Sequence, residues 1–147
     1  MSHSIRSALA LIVGVASIAT LAGCTALFGP ARDADGRVTE TSTIRSTTLL
    51  EGDCFSFIDL ADLTDVSVTP CAEPHTHRVI GQGELSQREI DDAGGVQNAV
   101  SASCKESFEA FKAAAEGYRP EQEFIVATED RDGVTVTTYR CIATDGP

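Results

Sequence analysis

"VQNAVSASCKESFEAF", residues 96–111, sets the architecture of this chain. The apolar residues in and just after this stretch recur every three or four positions: Val96, Val100, Cys104, Phe108, Phe111 and Ala115. This spacing places them on one face of an α-helix. Gly94 and Gly95 interrupt the chain before the run, and Gly117 is placed to end the helix. The sequence therefore predicts one amphipathic helix whose apolar face another layer must cover.

The chain after this helix is typical of a β-hairpin. "QEFIVAT", residues 122–128, and "GVTVTTYRCIA", residues 133–143, are rich in β-branched and aromatic residues. Between them lies Asp132-Gly133, a dipeptide that favours a tight hairpin turn. We expect two antiparallel strands here, and the helix has to pack against them.

The chain before the helix predicts three further strands and a short helix. The strand candidates are "DCFSFIDL" at residues 53–60, "TDVSVTPC" at 64–71 and "HRVIGQGEL" at 77–85. The predicted order, β-β-β-(short helix)-α-β-β, gives an α+β domain with a small, mostly antiparallel sheet and one main helix packed on it. We expect Phe108 and Phe111 to pack in the core of this domain rather than to line a ligand site.

The N-terminus resembles an export signal. Arg6 is its only charged residue, and residues 7–23 are uncharged and apolar or small. This pattern is typical of a secretory signal peptide over residues 1–23. An uncleaved N-terminal anchor helix is the alternative.

Leu21-Ala22-Gly23-Cys24 resembles the lipobox of bacterial lipoproteins. That resemblance implies a mature chain that begins at Cys24 and carries a diacylglycerol thioether and an acyl chain such as palmitate.

A lipid on Cys24 would place the protein on the extracytoplasmic face of the bacterial cell membrane. Residues 24–48 are rich in Thr, Ser, Ala and charge and show no fixed apolar period, so we expect a flexible tether. Such a tether has a root-mean-square reach of about 25–30 Å. The folded domain is expected to occupy residues 49–147.

The charge balance excludes some classes of partner. From Cys24 onward the chain has 10 basic and 22 acidic residues, a formal net charge of −12. Nucleic acids are bound through clusters of Lys and Arg, so the composition argues against a nucleic-acid partner. The same charge does not favour electrostatic docking on anionic lipid.

Four cysteines remain once Cys24 is assigned to lipid, namely Cys54, Cys71, Cys104 and Cys141. In an exported protein an even number predicts disulfides, with three possible pairings. We favour Cys54 with Cys71 and Cys104 with Cys141, because Cys104 lies on the apolar helix face and Cys141 lies in the strand that the helix should cover. No Cys-x-x-Cys motif occurs, so we expect structural rather than redox-active bridges.

The densest motif is "CAEPHTHRVIG", residues 71–81, which contains His75 and His77. One hypothesis is a zinc or copper site that uses both imidazoles, although the sequence identifies no third ligand. The other is a structural corner, stiffened by Pro74, in which His75 bonds to the backbone. No Gly-x-Ser-x-Gly turn or comparable nucleophile accompanies the histidines. We therefore expect no enzyme activity, no cofactor and no resident metal.

Several of these motifs together resemble a known family. "EGDCF", "VTPCAEPHTHRVIG", "CKESFEAF" and the final "YRC" are similar to the septum-formation domain of actinobacterial envelope proteins, across residues 49–142. The resemblance implies an extracytoplasmic, disulfide-bonded, membrane-tethered module with a role in septum or envelope biology. It supplies no catalytic residues.

Two functions follow as expectations. The first is a non-catalytic lipoprotein that binds an envelope protein or a cell-wall component. The second is a lipoprotein that binds a metal or small ligand at the corner formed by His75 and His77.

Overall fold

A computed structural model of the protein describes residues 29–146. The predicted signal peptide and the predicted lipid site at Cys24 lie outside the described residues. The strands are β1 Ser42–Arg45, β2 Cys54–Phe57, β3 Asp65–Thr69, β4 His77–Leu85, β5 Gln122–Arg131 and β6 Val134–Thr144. The helices are α1 Gln87–Asp92 and α2 Val96–Ala114, and a 3-10 turn covers Ser46–Thr48.

The strands form one six-stranded sheet in the order β1-β3-β2-β4-β6-β5, and every neighbouring pair is antiparallel. The predicted α+β architecture is confirmed, including the three strands before the helix and the hairpin after it. The hairpin turns at Asp132 and Gly133, which both have positive φ, as the Asp-Gly signal predicts.

The main helix, α2, covers one face of β4, β6 and β5. Its residues Ala99, Val100 and Cys104 are buried against Leu85 and Cys141. Gly81 of β4 allows this close approach, since a Cβ there would lie 2.9 Å from the hydroxyl of Ser107. The helix ends at Ala114, before the predicted stop at Gly117.

A second apolar core lies on the opposite face of the sheet, because Ile142 belongs to it and its strand neighbour Cys141 faces the helix. This core consists of Val38, Leu49, Phe55, Val66, Val68, Val79 and Ile142. The sheet curls around it, so that the 3-10 turn beside β1 contacts β5 at the other edge. The position of Phe108 and Phe111 corrects the prediction: both are only half-buried and belong to neither core, and Phe111 instead lies beneath the Arg78 guanidinium.

Both favoured disulfides are confirmed. Cys54 is bonded to Cys71, seventeen residues away, and Cys104 to Cys141, thirty-seven residues away. The first bridge ties the start of β2 to the segment after β3, and the second fastens α2 to β6. On the chain-entropy account these closures stabilise the fold by about 3 and 4 kcal/mol.

The prediction that residues 24–48 form a flexible tether is wrong for much of the described part, residues 29–48. Ser42–Arg45 forms an edge strand paired with β3, and Arg32 and Val38 form a β-bridge that closes a small loop. We call residues 29–41 the N-terminal strap. Its Val38 is buried in the second core, while Arg32 makes a bidentate ion pair with Asp53. Arg32 and Val38 belong to no repeating apolar pattern, and the periodicity of the sequence therefore does not indicate that this segment is ordered.

Within residues 29–146, neither α-helix combines the length and apolarity that crossing a bilayer would require.

Candidate functional site

His75 lies in the turn between β3 and β4, two residues before His77, the first residue of β4. Its Nδ1 is 2.7 Å from the backbone carbonyl oxygen of Glu73, and its Nε2 is 3.0 Å from Oδ2 of Asp145. Pro74 separates the two partners of the first bond and restricts the backbone there. Both side chains of the His75–Asp145 pair are nearly buried, with 8% and 11% exposure.

Asp145 is the centre of this corner. Its carboxylate accepts hydrogen bonds from the Tyr118 hydroxyl at 2.9 Å and from His75, and it forms an ion pair with Arg78, whose Nη2 is 2.7 Å from Oδ2. Its backbone N–H donates to the carbonyl oxygen of Thr76. We call His75, Arg78, Tyr118 and Asp145 the Asp145 corner.

The surroundings of Asp145 lower the pKa of its carboxyl group. Burial by itself would raise the pKa of this carboxyl group, but the hydrogen bonds from His75 and Tyr118 and the charge of Arg78 lower it below its usual value. The carboxylate therefore stays ionised and binds three side chains, His75 and Arg78 from one segment and Tyr118 from another.

The hydrogen bonds that His75 can make depend on the protonation of its ring. A carbonyl oxygen and a carboxylate oxygen can both only accept, whereas a neutral imidazole has a single N–H. Both bonds of His75 therefore form together only when the ring is the doubly protonated imidazolium. In that form the corner has one negative carboxylate between two cations, His75 and Arg78.

His77 has different surroundings. Its ring stacks on Phe55 with ring centroids 5.4 Å apart, meets Phe57 edge-on at 5.0 Å, and lies 3.7 Å from a Glu123 carboxylate oxygen. Burial lowers the pKa of His77, and the negative charge of Glu123 only partly opposes that effect. The ring is therefore held mainly as an aromatic cover over the edge of the second core.

The structure does not bring the two histidines together at one metal-binding group. His75 lies outside β4, so the alternation of side chains along a strand does not apply to the pair. Within residues 29–146, one set of potential metal ligands lies within 4.8 Å of one another, and it consists of Cys54, His75 and Asp145. The sulfur of Cys54 is bonded to Cys71 in this structure.

Sequence reasoning found His75 but missed its partners. Asp145 is 70 residues away from His75, and Tyr118 is 27 residues away from Asp145. No motif or period links such distant positions, and only the pairing of β4 with β6 places them together. Arg78, three residues after His75, was visible in the motif but had no recognisable role there.

A cavity of about 600 Å³ lies beside the Cys54–Cys71 bridge. Its lining includes Arg37, Glu51, Asp53 and Arg78 together with both cysteines, but not His75. Arg78 thus contributes both to this cavity and to the Asp145 corner.

The loop between β2 and β3 presents an unusual surface. Ile58, Leu60 and Leu63 are all exposed there, and Leu60 is 81% exposed. Two aspartates in the loop bind backbone N–H groups two residues ahead, Asp59 to Ala61 and Asp62 to Thr64, and these bonds fix its shape. We call residues 58–64 the apolar loop.

A groove of about 410 Å³ adjoins the apolar loop. Leu63 forms part of its wall, with Phe124, Ile125 and Val126 of β5 opposite. β5 is an edge strand of the sheet, so one side of its backbone has no neighbouring strand in the described sheet. Apolar side chains and a sheet edge thus meet at one surface.

Comparisons of the chain with known protein families, with curated proteins and with solved structures found no match.

Proposed function

We propose that the protein is a lipid-anchored extracytoplasmic lipoprotein whose domain binds an envelope protein and catalyses no reaction. The observation that carries this proposal is the apolar loop, where Leu60 is 81% exposed on a turn fixed by its own aspartates. Exposed apolar side chains on a rigid loop are typical of a surface that a partner covers.

The charges around the apolar loop define the partner's chemistry. Asp59, Asp62 and Asp65 alternate with the apolar side chains and are exposed. The chain from Cys24 onward is also strongly acidic overall. A complementary partner therefore presents an apolar patch with Lys or Arg at its rim, because like charges would oppose the contact.

Two features support the extracytoplasmic location. Cys24 follows an uncharged apolar run in a sequence that resembles a lipobox. The domain also contains two disulfides, which persist mainly in oxidising compartments. The resemblance to the actinobacterial septum-formation domain supports a partner in the septum or cell envelope.

Site-specific photocrosslinking in living cells tests the binding surface. We expect a photoreactive amino acid at Leu60 to trap one defined envelope protein, and Leu63→Asp in the same chain to reduce the yield at least tenfold. The matched control is the same amino acid at Val134, which is exposed at 63% on the distant hairpin. Equal, partner-independent yields at Leu60 and Val134 would overturn the proposal.

The isolated partner then gives a quantitative test. Leu60→Asp should weaken its binding to the purified domain about tenfold or more, since an exposed anchor is removed and a like charge is added. Val134→Asp adds the same charge elsewhere and should change the affinity less than twofold. Equal effects of the two substitutions would show that net charge alone governs the contact.

A further inference from the structure

Three side chains that commonly bind metal converge beside the first disulfide. One ligand atom each from Cys54, His75 and Asp145 lies within 4.8 Å of the other two. Cys54 is fully buried, and His75 and Asp145 are nearly so. Sulfur, imidazole nitrogen and carboxylate oxygen are all ligands of zinc, and three protein ligands plus one open position is a common zinc arrangement.

The surroundings of these side chains already have the form of an outer coordination shell. Nδ1 of His75 bonds to the carbonyl oxygen of Glu73, which leaves Nε2 directed at Asp145. Metal-binding histidines are oriented by this type of bond to the other ring nitrogen. Tyr118 and Arg78 hold the Asp145 carboxylate in place, as the outer partners of a metal-binding carboxylate do.

The disulfide controls whether the third ligand exists. While Cys54 is bonded to Cys71 its sulfur cannot become a thiolate, which is the form that binds zinc. We propose that reduction of the Cys54–Cys71 bond creates a zinc site formed by the Cys54 thiolate, His75 Nε2 and an Asp145 oxygen. The metal site does not depend on the lipid anchor or on the partner of the apolar loop, whereas the choice of an extracytoplasmic reductant rests on the location proposed above.

The reductant we name is an extracytoplasmic dithiol protein of the thiol–disulfide exchange class. One of its thiolates attacks Sγ of Cys71, forms a mixed disulfide and releases Cys54 as the leaving thiolate. Its second thiol then displaces Cys71. Two electrons pass from the dithiol, which becomes a disulfide, to the Cys54–Cys71 bond, which becomes two thiols. Zinc binding next releases the Cys54 thiol proton and the Nε2 proton of His75, and zinc itself is not reduced.

The two disulfides differ in their access to such a reductant. Cys71 is exposed, whereas Cys104 and Cys141 are both buried in the core under α2. Thiol exchange requires access to the sulfur under attack. Attack on the exposed Cys71 also makes the buried Cys54 the leaving group, so the first step delivers the metal ligand.

A pair of substitutions separates the metal site from loss of the bridge. Cys71→Ser and Cys54→Ser both remove the same disulfide, but only Cys71→Ser retains the proposed thiolate ligand. We expect Cys71→Ser to bind one Zn²⁺ at least 100-fold more tightly than Cys54→Ser, measured by competition with a chromogenic chelator. Co²⁺ should give thiolate-to-metal charge-transfer absorption in Cys71→Ser alone.

Further variants test the other ligands. In the Cys71→Ser background, His75→Ala and Asp145→Asn should each weaken zinc binding at least tenfold, whereas His77→Ala should leave it within twofold. Equal zinc affinities for Cys71→Ser and Cys54→Ser, or zinc binding unaffected by His75→Ala, would overturn the proposal.

The wild-type protein provides a test that needs no substitution. Native mass spectrometry after limited reduction with a phosphine should show one bound zinc only in molecules whose Cys54–Cys71 bond is open. Two results would contradict the proposal that the disulfide controls zinc binding. One is equal zinc binding by the protein with both disulfides intact, and the other is no zinc binding by the protein in which only the Cys54–Cys71 bond is open. This measurement decides the question even if a cysteine variant fails to fold.

Discussion

At the scale of the single residue, Asp145 fastens the segment after β6 to the rest of the domain. One carboxylate binds His75, Arg78 and Tyr118, and so ties residues 75–78 and residue 118 to the segment after β6. Hydrogen bonds that involve a charged group each stabilise the fold by about 1.5–3 kcal/mol. If one partner is removed, the buried group left without a hydrogen bond destabilises the fold by more than the bond had stabilised it. The Asp145 corner therefore has a structural role as long as the Cys54–Cys71 disulfide is intact.

Asp145→Asn should lower the free energy of unfolding by about 2–4 kcal/mol at neutral pH, because Arg78 loses its counter-charge and His75 and Tyr118 lose a charged hydrogen-bond acceptor. The difference from wild type depends on pH in a definite direction. The folded state lowers the pKa of Asp145, so its stabilisation is fully present above the unfolded value of about 3.9. It is lost as the pH falls through the lower folded pKa.

Chemical denaturation from pH 7 to pH 2 measures this prediction, and Asp92→Asn is the control. Asp92 pairs with Arg88 on the surface, and both side chains are mostly exposed, so its replacement should change stability by less than about 0.5 kcal/mol. A wild-type advantage over Asp145→Asn that persists unchanged at the acid end would contradict the assignment.

At the scale of the element, the N-terminal strap is held by the Arg32–Asp53 ion pair, by Val38 in the second core, and by hydrogen bonds that join Thr41 to Thr69 and Glu73. Arg32 bonds to both oxygens of Asp53 at 2.6 and 2.8 Å, and the Asp53 side chain is only 3% exposed. Asp53 also accepts the backbone N–H of Leu50. The strap therefore shares one buried carboxylate with the segment that enters β2.

Arg32→Ala should destabilise the domain by about 3 kcal/mol, because it leaves a buried carboxylate without its counter-ion. It should also release the strap, which hydrogen exchange would show as faster exchange of backbone amides across residues 29–41. The most direct sign is loss of protection at Thr39, whose N–H donates to the carbonyl oxygen of Ala31.

The strap supplies its own control in Arg37. Its guanidinium pairs with Asp35 at 3.4 Å, but both side chains are more than 70% exposed. Exposed pairs contribute little, so Arg37→Ala should leave both stability and exchange nearly unchanged. Equal effects of the two substitutions would show that the ion pair with Asp53 does not hold the strap.

At the scale of the whole molecule, the ordered strap changes how far the domain could stand from a membrane. Only four residues, 25–28, separate Cys24 from the first described residue. Five Cα–Cα steps span about 18 Å at full extension. A lipid on Cys24 would therefore keep the strap close to the headgroups, and the partner of the apolar loop would be membrane-associated or reach the membrane surface.

Cys24→Ser should release the protein from the membrane fraction or leave an unprocessed precursor, because the serine hydroxyl cannot replace the thioether to lipid. Fractionation and the mass of the N-terminal peptide check this outcome. Thr25→Ser changes the adjacent residue and should leave anchoring intact. Normal processing and normal anchoring of Cys24→Ser would refute lipidation at this position.

The sequence by itself determined the elements whose signals are local. The period of residues 96–111 specified α2, alternation and turn residues specified the strands after Leu49, and Asp132-Gly133 specified the hairpin. It also favoured the observed disulfide pairing among the three possible ones, because a helix face and a neighbouring strand had to meet. These features follow from contacts between residues that are near in the chain or on one repeating face.

Only the tertiary structure decided the strap, β1 and the Asp145 corner. A four-residue edge strand such as Ser42–Arg45 forms only because β3 provides its hydrogen bonds. Asp145 meets His75 across 70 residues because β6 pairs with β4. Such contacts depend on the assembled sheet rather than on local pattern. For the same physical reason, the partners of His75 and the potential zinc ligands could not be identified from the sequence alone.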